Sequence, residues 1–145
     1  MSRIKKYEQS LTYYHLNVPL SLAVNWEHNI VTQLNTSGDI SSQCYLTRQQ
    51  ADVLFALLEK WPEMCSYKEI LQAFYGQIRG GNLFEKWMRT NSLNSNLHLI
   101  RDELRTMKTL LQPLHIDFGA VIQTGFVLLP QSSQPKLLSK YAFRV

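Results

Sequence analysis

Between Leu93 and Lys108 the sequence reads LNSNLHLIRDELRTMK. Leu93, Leu97, Ile100, Leu104 and Met107 stand at offsets 0, 4, 7, 11 and 14. At about 100° per residue these positions share one stripe of an α-helix. The opposite side carries Asn91, Ser95, His98, Leu99, Asp102 and Thr106, with Asn94 nearby and Arg101 and Arg105 on one flank. The chemistry available to such residues is recognition. An arginine can pair with both acceptors of guanine, and a leucine can meet a thymine methyl, at about 1–3 kcal/mol per good base contact. Arginine also holds phosphate, and short polar side chains suit base edges. The plainer reading of the same face is a solvated surface, with the arginines paired to neighbouring acids such as Asp102.

Catalysis finds no support. The four histidines (His15, His28, His98, His115) and two cysteines (Cys44, Cys65) have no metal-ligand spacing. There is no Gly-rich phosphate loop, nucleophile elbow or useful Ser/His/Asp order. Asp102 and Glu103 are adjacent and point different ways on a helix. The expectation is a protein that is not an enzyme and uses no metal or cofactor.

Composition agrees with a binding module. The 145 residues suit one domain, and 45% hydrophobic content is enough for a core. The net charge of +4 is modest. Of fifteen basic and eleven acidic residues, three of each fall in residues 1–46, leaving twelve against eight in residues 47–145. The basic excess thus lies wholly in the second part, where a polyanion would bind. Two cysteines make no disulfide framework, and no apolar run reaches the ~20 residues of a membrane helix. The N-terminus lacks a signal-peptide apolar stretch. A cytoplasmic protein is expected.

The elements that must position the polar face follow from pattern. Residues 1–10 read as a flexible tail. From Leu11 to Leu46, aromatic and β-branched runs separated by turn signals predict three or four short antiparallel strands. Thr47 with Gln50 is a capping box opening RQQADVLFALLEK, whose Ala51, Leu54, Phe55 and Leu58 share a face. Trp61-Pro62 stops that helix. Ser66 with Glu69 opens a second helix, with Ile70, Leu71, Phe74 and Tyr75 on its apolar side and Gly76 at its end. The connection from Gly76 to Thr90 is long and holds Phe84, Lys86, Trp87 and Arg89. The third helix ends near Gln112-Pro113. HIDFGAVIQTGFVLLP then reads as a β-hairpin ending at Pro130, and residues 131–145 as a C-terminal tail.

This order resembles the OmpR/PhoB-type winged-helix DNA-binding domain, including its ToxR/CadC-like branch. The residues that carry the resemblance are Leu46-Thr47 before the first helix and Ser66 and Tyr75-Gly76 bounding the second. Leu93, Leu97, Ile100, Arg101 and Leu104 match in the third, and Gly125-Phe126-Val127-Leu128 in the final strand. It covers roughly residues 29–130, without a receiver domain or membrane helix. It implies an α+β winged helix: an N-terminal antiparallel sheet (11–46), then a three-helix core and C-terminal β-hairpin wing (47–130).

The resemblance further implies a bacterial or phage transcriptional regulator that binds double-stranded DNA. Its third helix would enter the major groove and its wing would lie on the backbone or minor groove. The DNA-binding residues would be Arg48, Arg89, Asn91, Asn94, Ser95, His98, Leu99, Arg101 and Arg105, with Gln123 and Thr124 in the wing. In the resembled family the long loop can contact RNA polymerase, so Phe84 and Trp87 become candidate partner contacts. A co-regulator or a second copy forming a homodimer would supplement weak monomer binding. The sequence departs from the family at Leu99 and Asp102, where basic residues are common, in the further acid Glu103, and in a wing without Arg or Lys. Those departures motivate the alternative: a winged-helix protein–protein interaction module or co-regulator that does not itself bind DNA.

Overall fold

The computed structural model describes residues 11–16, 21–34, 40–74, 93–121, 124–130 and 142–144. Of Asn94, Ser95 and a few other residues within these ranges, only the backbone is described. The fold is mixed α+β: two antiparallel sheets and, among the described residues, three helices.

Four strands come first, β1 (Leu11–His15), β2 (Ser21–Asn25), β3 (Ile30–Leu34) and β4 (Ile40–Tyr45), each paired antiparallel with the next. Alternation decides which side faces inward. Leu22, Val24, Val31 and Cys44 share the buried face, whereas Tyr13 and Tyr45 point outward and are exposed. The β2–β3 turn is held by Asn25, whose buried Oδ1 accepts from the amides of Glu27 (3.0 Å) and His28 (3.1 Å). Asn29 takes the left-handed conformation (φ 58°) that Asn tolerates better than most residues, and its carbonyl accepts from Leu46 N–H at 2.9 Å.

Helix α1 (Arg48–Lys60) carries the capping box expected at its start. Thr47 Oγ1 accepts from Gln50 N–H at 3.1 Å, and Gln50 Oε1 accepts from Thr47 N–H at 3.0 Å. Ala51, Val53, Leu54, Leu57 and Leu58 are buried. The first sheet is fastened to α1 through aromatic edges. Tyr14 meets Trp26 (6.3 Å between centroids), Trp26 meets Phe55 (5.2 Å), and the Tyr14 hydroxyl donates to Glu59 Oε1 at 3.3 Å.

A two-residue strand, β5 (Cys65–Ser66), runs straight into α2 (Tyr67–Phe74). The second capping box is also present: Ser66 N–H donates to Glu69 Oε1 and Glu69 N–H to Ser66 Oγ, both at 3.2 Å. Ile70, Leu71 and Ala73 face the core, and Phe74 packs against it. Tyr75 and Gly76, expected to finish this helix, lie outside the described residues, as does the tail 1–10. Both cysteines are free and buried. The Cys65 thiol donates to the Ala56 carbonyl at 3.0 Å, and burial, helped by the Glu69 charge, pushes its pKa up to about 12. Such a thiol is inert.

Helix α3 (Leu93–Leu111) continues into a 3₁₀ turn, Gln112–Leu114, and the left-handed His115 (φ 63°) turns the chain into β6 (Ile116–Val121). β7 (Gly125–Pro130) returns antiparallel, so the hairpin and its end at Pro130 are as the sequence suggested. Two features alter the expected picture. Residues 131–145 are not all tail, because β8 (Ala142–Arg144) pairs with Gly119–Val121 of β6. Nor is the hairpin a free arm. It is the inner pair of a sheet ordered β5-β7-β6-β8, and eleven of its twelve strand residues are buried, Val121 being the exception.

Gly125 sits where β5 crosses the hairpin. A Cβ there would fall 1.8 Å from the Cys65 carbonyl oxygen and 2.8 Å from its carbon. A Cβ on Gly119 would meet only side-chain atoms, Leu129 Cδ1 at 2.9 Å and Val127 Cγ1 at 3.1 Å. Gly125→Ala should therefore break the β5 pairing and destabilise by about 3 kcal/mol or more, with Gly119→Ala clearly milder; urea denaturation of both variants checks the order. The α2 cap predicts acid sensitivity. Burial alone would raise the Glu69 carboxyl, but the Ser66 amide and hydroxyl and the Lys60 ammonium (3.3 Å) outweigh it and leave the pKa lowered. The stability this confers is present above the ordinary value of 4.5 and is lost as pH falls through the folded value. Glu69→Gln should flatten that part of the acid limb of a pH series of urea midpoints.

Candidate nucleic-acid interface

The face of interest begins with what α3 hides. Leu97, Ile100, Leu104, Met107 and Leu111 are buried. Burial of each such side chain is worth about 1.5–3 kcal/mol, so the rotation of the helix about its axis is fixed. His98, Leu99, Asp102, Arg105, Thr106, Thr109 and Leu110 are consequently exposed. Leu99 is 51% and Leu110 39% exposed.

The exposed face is not uniform across its width. By helical geometry Asp102 lies directly opposite the buried stripe. Arg105 flanks it on one side, with Arg101 and Lys108 further round. Leu99, Glu103 and Leu110 lie on the other side. One rim is basic and the other apolar.

Each cation has a distinct setting. Arg105 Nη1 stands 3.5 Å from Asp102 Oδ1, with both side chains largely exposed. This is the neighbouring-acid pairing that the plainer reading of the face anticipated. Arg101 is only half-exposed, and its Nε is covered without a hydrogen-bond partner, so it is less available than a solvated flank residue. Lys108 reaches back, its Nζ 3.5 Å from Oδ1 of Asp117, a buried carboxylate on β6 that also accepts from Phe118 N–H at 2.7 Å. Lys108 thereby ties the end of α3 to the first strand of the hairpin. The hydroxyls of Thr106 and Thr109 donate to the carbonyls of Asp102 (3.1 Å) and Arg105 (3.2 Å) one turn back. That leaves their methyl groups as the outward chemistry.

The remaining candidates are scattered. Asn94 and Ser95 belong to the first turn of α3, with side chains outside the described set. Arg48 is exposed on a different helix, at the start of α1, where its charge lowers Asp52 against a larger upward effect of burial; the Asp52 carboxyl stays raised on balance. Thr124 is exposed at the hairpin turn. Its N–H donates to Val121 O (3.1 Å), and its carbonyl accepts from Tyr67 N–H (3.2 Å), which fixes the turn against the start of α2. Arg89, Asn91, Gln123, Phe84 and Trp87 lie outside the described residues. The sequence reading missed Lys108 as the link to the hairpin. A buried acid on a strand was its only available signal, and burial of Asp117 was not legible beforehand.

Among the described residues no group of three or more His, Cys, Asp or Glu is placed to hold a metal ion, and no helix is long and apolar enough to cross a membrane. No match to the chain was found among family models, curated proteins or solved structures.

The Lys108–Asp117 contact makes a testable prediction. Lys108→Met keeps the apolar stem but removes the cation beside a buried carboxylate. It should destabilise by on the order of 2 kcal/mol, less than for a fully buried pair because the Lys108 side chain is partly exposed. Chemical denaturation at neutral pH measures it.

Proposed function

We propose that the chain is a sequence-specific, double-stranded-DNA-binding transcriptional regulator of the winged-helix type, as its resemblance to the OmpR/PhoB-type domain implies. In this reading α3 enters the major groove, with His98, Leu99 and Arg105 toward base edges. The turn around Thr124 faces the backbone or minor groove.

One observation carries the reading. Leu97, Ile100, Leu104, Met107 and Leu111 of the α3 stripe are buried in the core while His98, Asp102, Arg105 and Thr106 opposite them are exposed, and a hairpin follows the helix within one short turn. A helix with its side chains is about 10–12 Å across, which matches a major groove about 12 Å wide. Nineteen residues give a length of about 28 Å, enough to cross the groove and overhang it.

The charge of the face sets the expected strength. With Arg105 beside Asp102, Lys108 beside Asp117 and Arg101 partly covered, the described cations of α3 can neutralise few phosphates. Binding by one copy should be weak and its salt dependence shallow. A second copy, tandem sites or a co-regulator would supply the remaining affinity.

The apolar rim of Leu99 and Leu110, with threonine methyl groups between, favours the second reading: an interaction module that docks a protein instead of DNA. A gel-shift salt series on DNA from upstream of its own gene separates the two. Under the DNA reading the wild-type protein retards the duplex at low salt. Arg105→Ala and His98→Ala each weaken that by about five- to a hundredfold, the cost of one base contact. Retention of a protein partner with no duplex retarded at any salt would favour the interaction module.

A further inference from the structure

We infer that Asp102 is a positioning residue for base recognition: it holds Arg105 toward the groove floor and repels phosphate, trading affinity for discrimination. The inference rests on the DNA reading above and deepens it.

The argument starts from where the carboxylate stands. Asp102 is the residue opposite the buried stripe, so any duplex that meets this face meets its negative charge first. For a surface that merely attracts a polyanion this is the worst place for an acid. The pair it makes with Arg105 is also a poor device for stability. At 3.5 Å, i to i+3, with side chains 72% and 65% exposed, such pairs contribute little. The helix does not need it either, since the five buried residues of the stripe already hold α3 in place.

What the pair does alter is the freedom of the guanidinium. An unpaired surface arginine swings toward the nearest phosphate and carries no sequence information. Asp102 engages one edge of Arg105 through Nη1 and keeps the group over the centre of the face. The remaining donors are left for an acceptor pair in the groove, and guanine presents two acceptors in its major-groove edge. The carboxylate meanwhile disfavours a phosphate alongside. The Thr106 hydroxyl, bonded to the Asp102 carbonyl, is turned away and does not compete for the arginine.

The test uses the full chain with Asp102→Ala, Arg105→Ala and the double variant, each selected against a random-sequence duplex library and titrated with one duplex of arbitrary fixed sequence. Unchanged urea midpoints would show that folding is intact. The expected wild-type result is a selected site with a required guanine. Arg105→Ala loses that one preference, Asp102→Ala weakens it a few-fold, as suits an exposed pair, and the double variant is no worse than Arg105→Ala alone. Asp102→Ala should also bind the arbitrary duplex roughly fivefold tighter, the effect of one charge about 4 Å away across water. Its log–log salt slope should steepen by about 0.9, one additional phosphate contact. A guanine preference unchanged in Asp102→Ala overturns the inference while leaving the DNA reading standing. A wild-type protein that retards no duplex at low salt overturns both.

Discussion

The inner stripe of α3 is the constraint on which the rest depends. A helix offers its two sides as alternatives, and turning this one by a single residue, about 100°, would lift leucines into water and carry charged groups toward the core. The burial of Leu97, Ile100, Leu104, Met107 and Leu111 forbids that rotation. The exposed face is thus chosen by the core. Its chemistry is mixed, with an acid, cations and leucines all outside the stripe.

That mixture has an order. The cations lie round one flank and the leucines round the other, with Asp102 between. A groove-bound helix is not approached equally from both sides, and an asymmetric face fits one sense of approach better than its reverse.

Much of the frame was legible in the sequence because it is local. The offsets of the α3 stripe, the pairing of Thr47 with Gln50 and of Ser66 with Glu69, and the alternation of the first strands each depend on residues a few positions apart. What escaped reading depends on distant segments. Strand β5 has two residues and β8 three, too few for a period, and each exists because a hairpin far along the chain offers it a ladder. Gly125 reads in sequence only as an interruption of a strand. Its reason is the Cys65 carbonyl pressed against it. The candidate face was legible as a list of residues on one helix but not as a charge map. Whether an arginine is covered (Arg101), shared with an acid (Arg105) or, like Lys108, turned back to a strand is decided by tertiary neighbours.

Strand β8 carries a consequence for how the chain can be handled. It occupies the outer rim of β6 at Gly119–Val121, near the hairpin turn. A version cut after Pro130 would retain the three described helices yet bare that rim, a row of backbone groups without partners. Such a rim recruits strands from other molecules. Residues Ala142–Arg144 thus act as a guard rail for that rim, and a fragment trimmed of them would be prone to self-association.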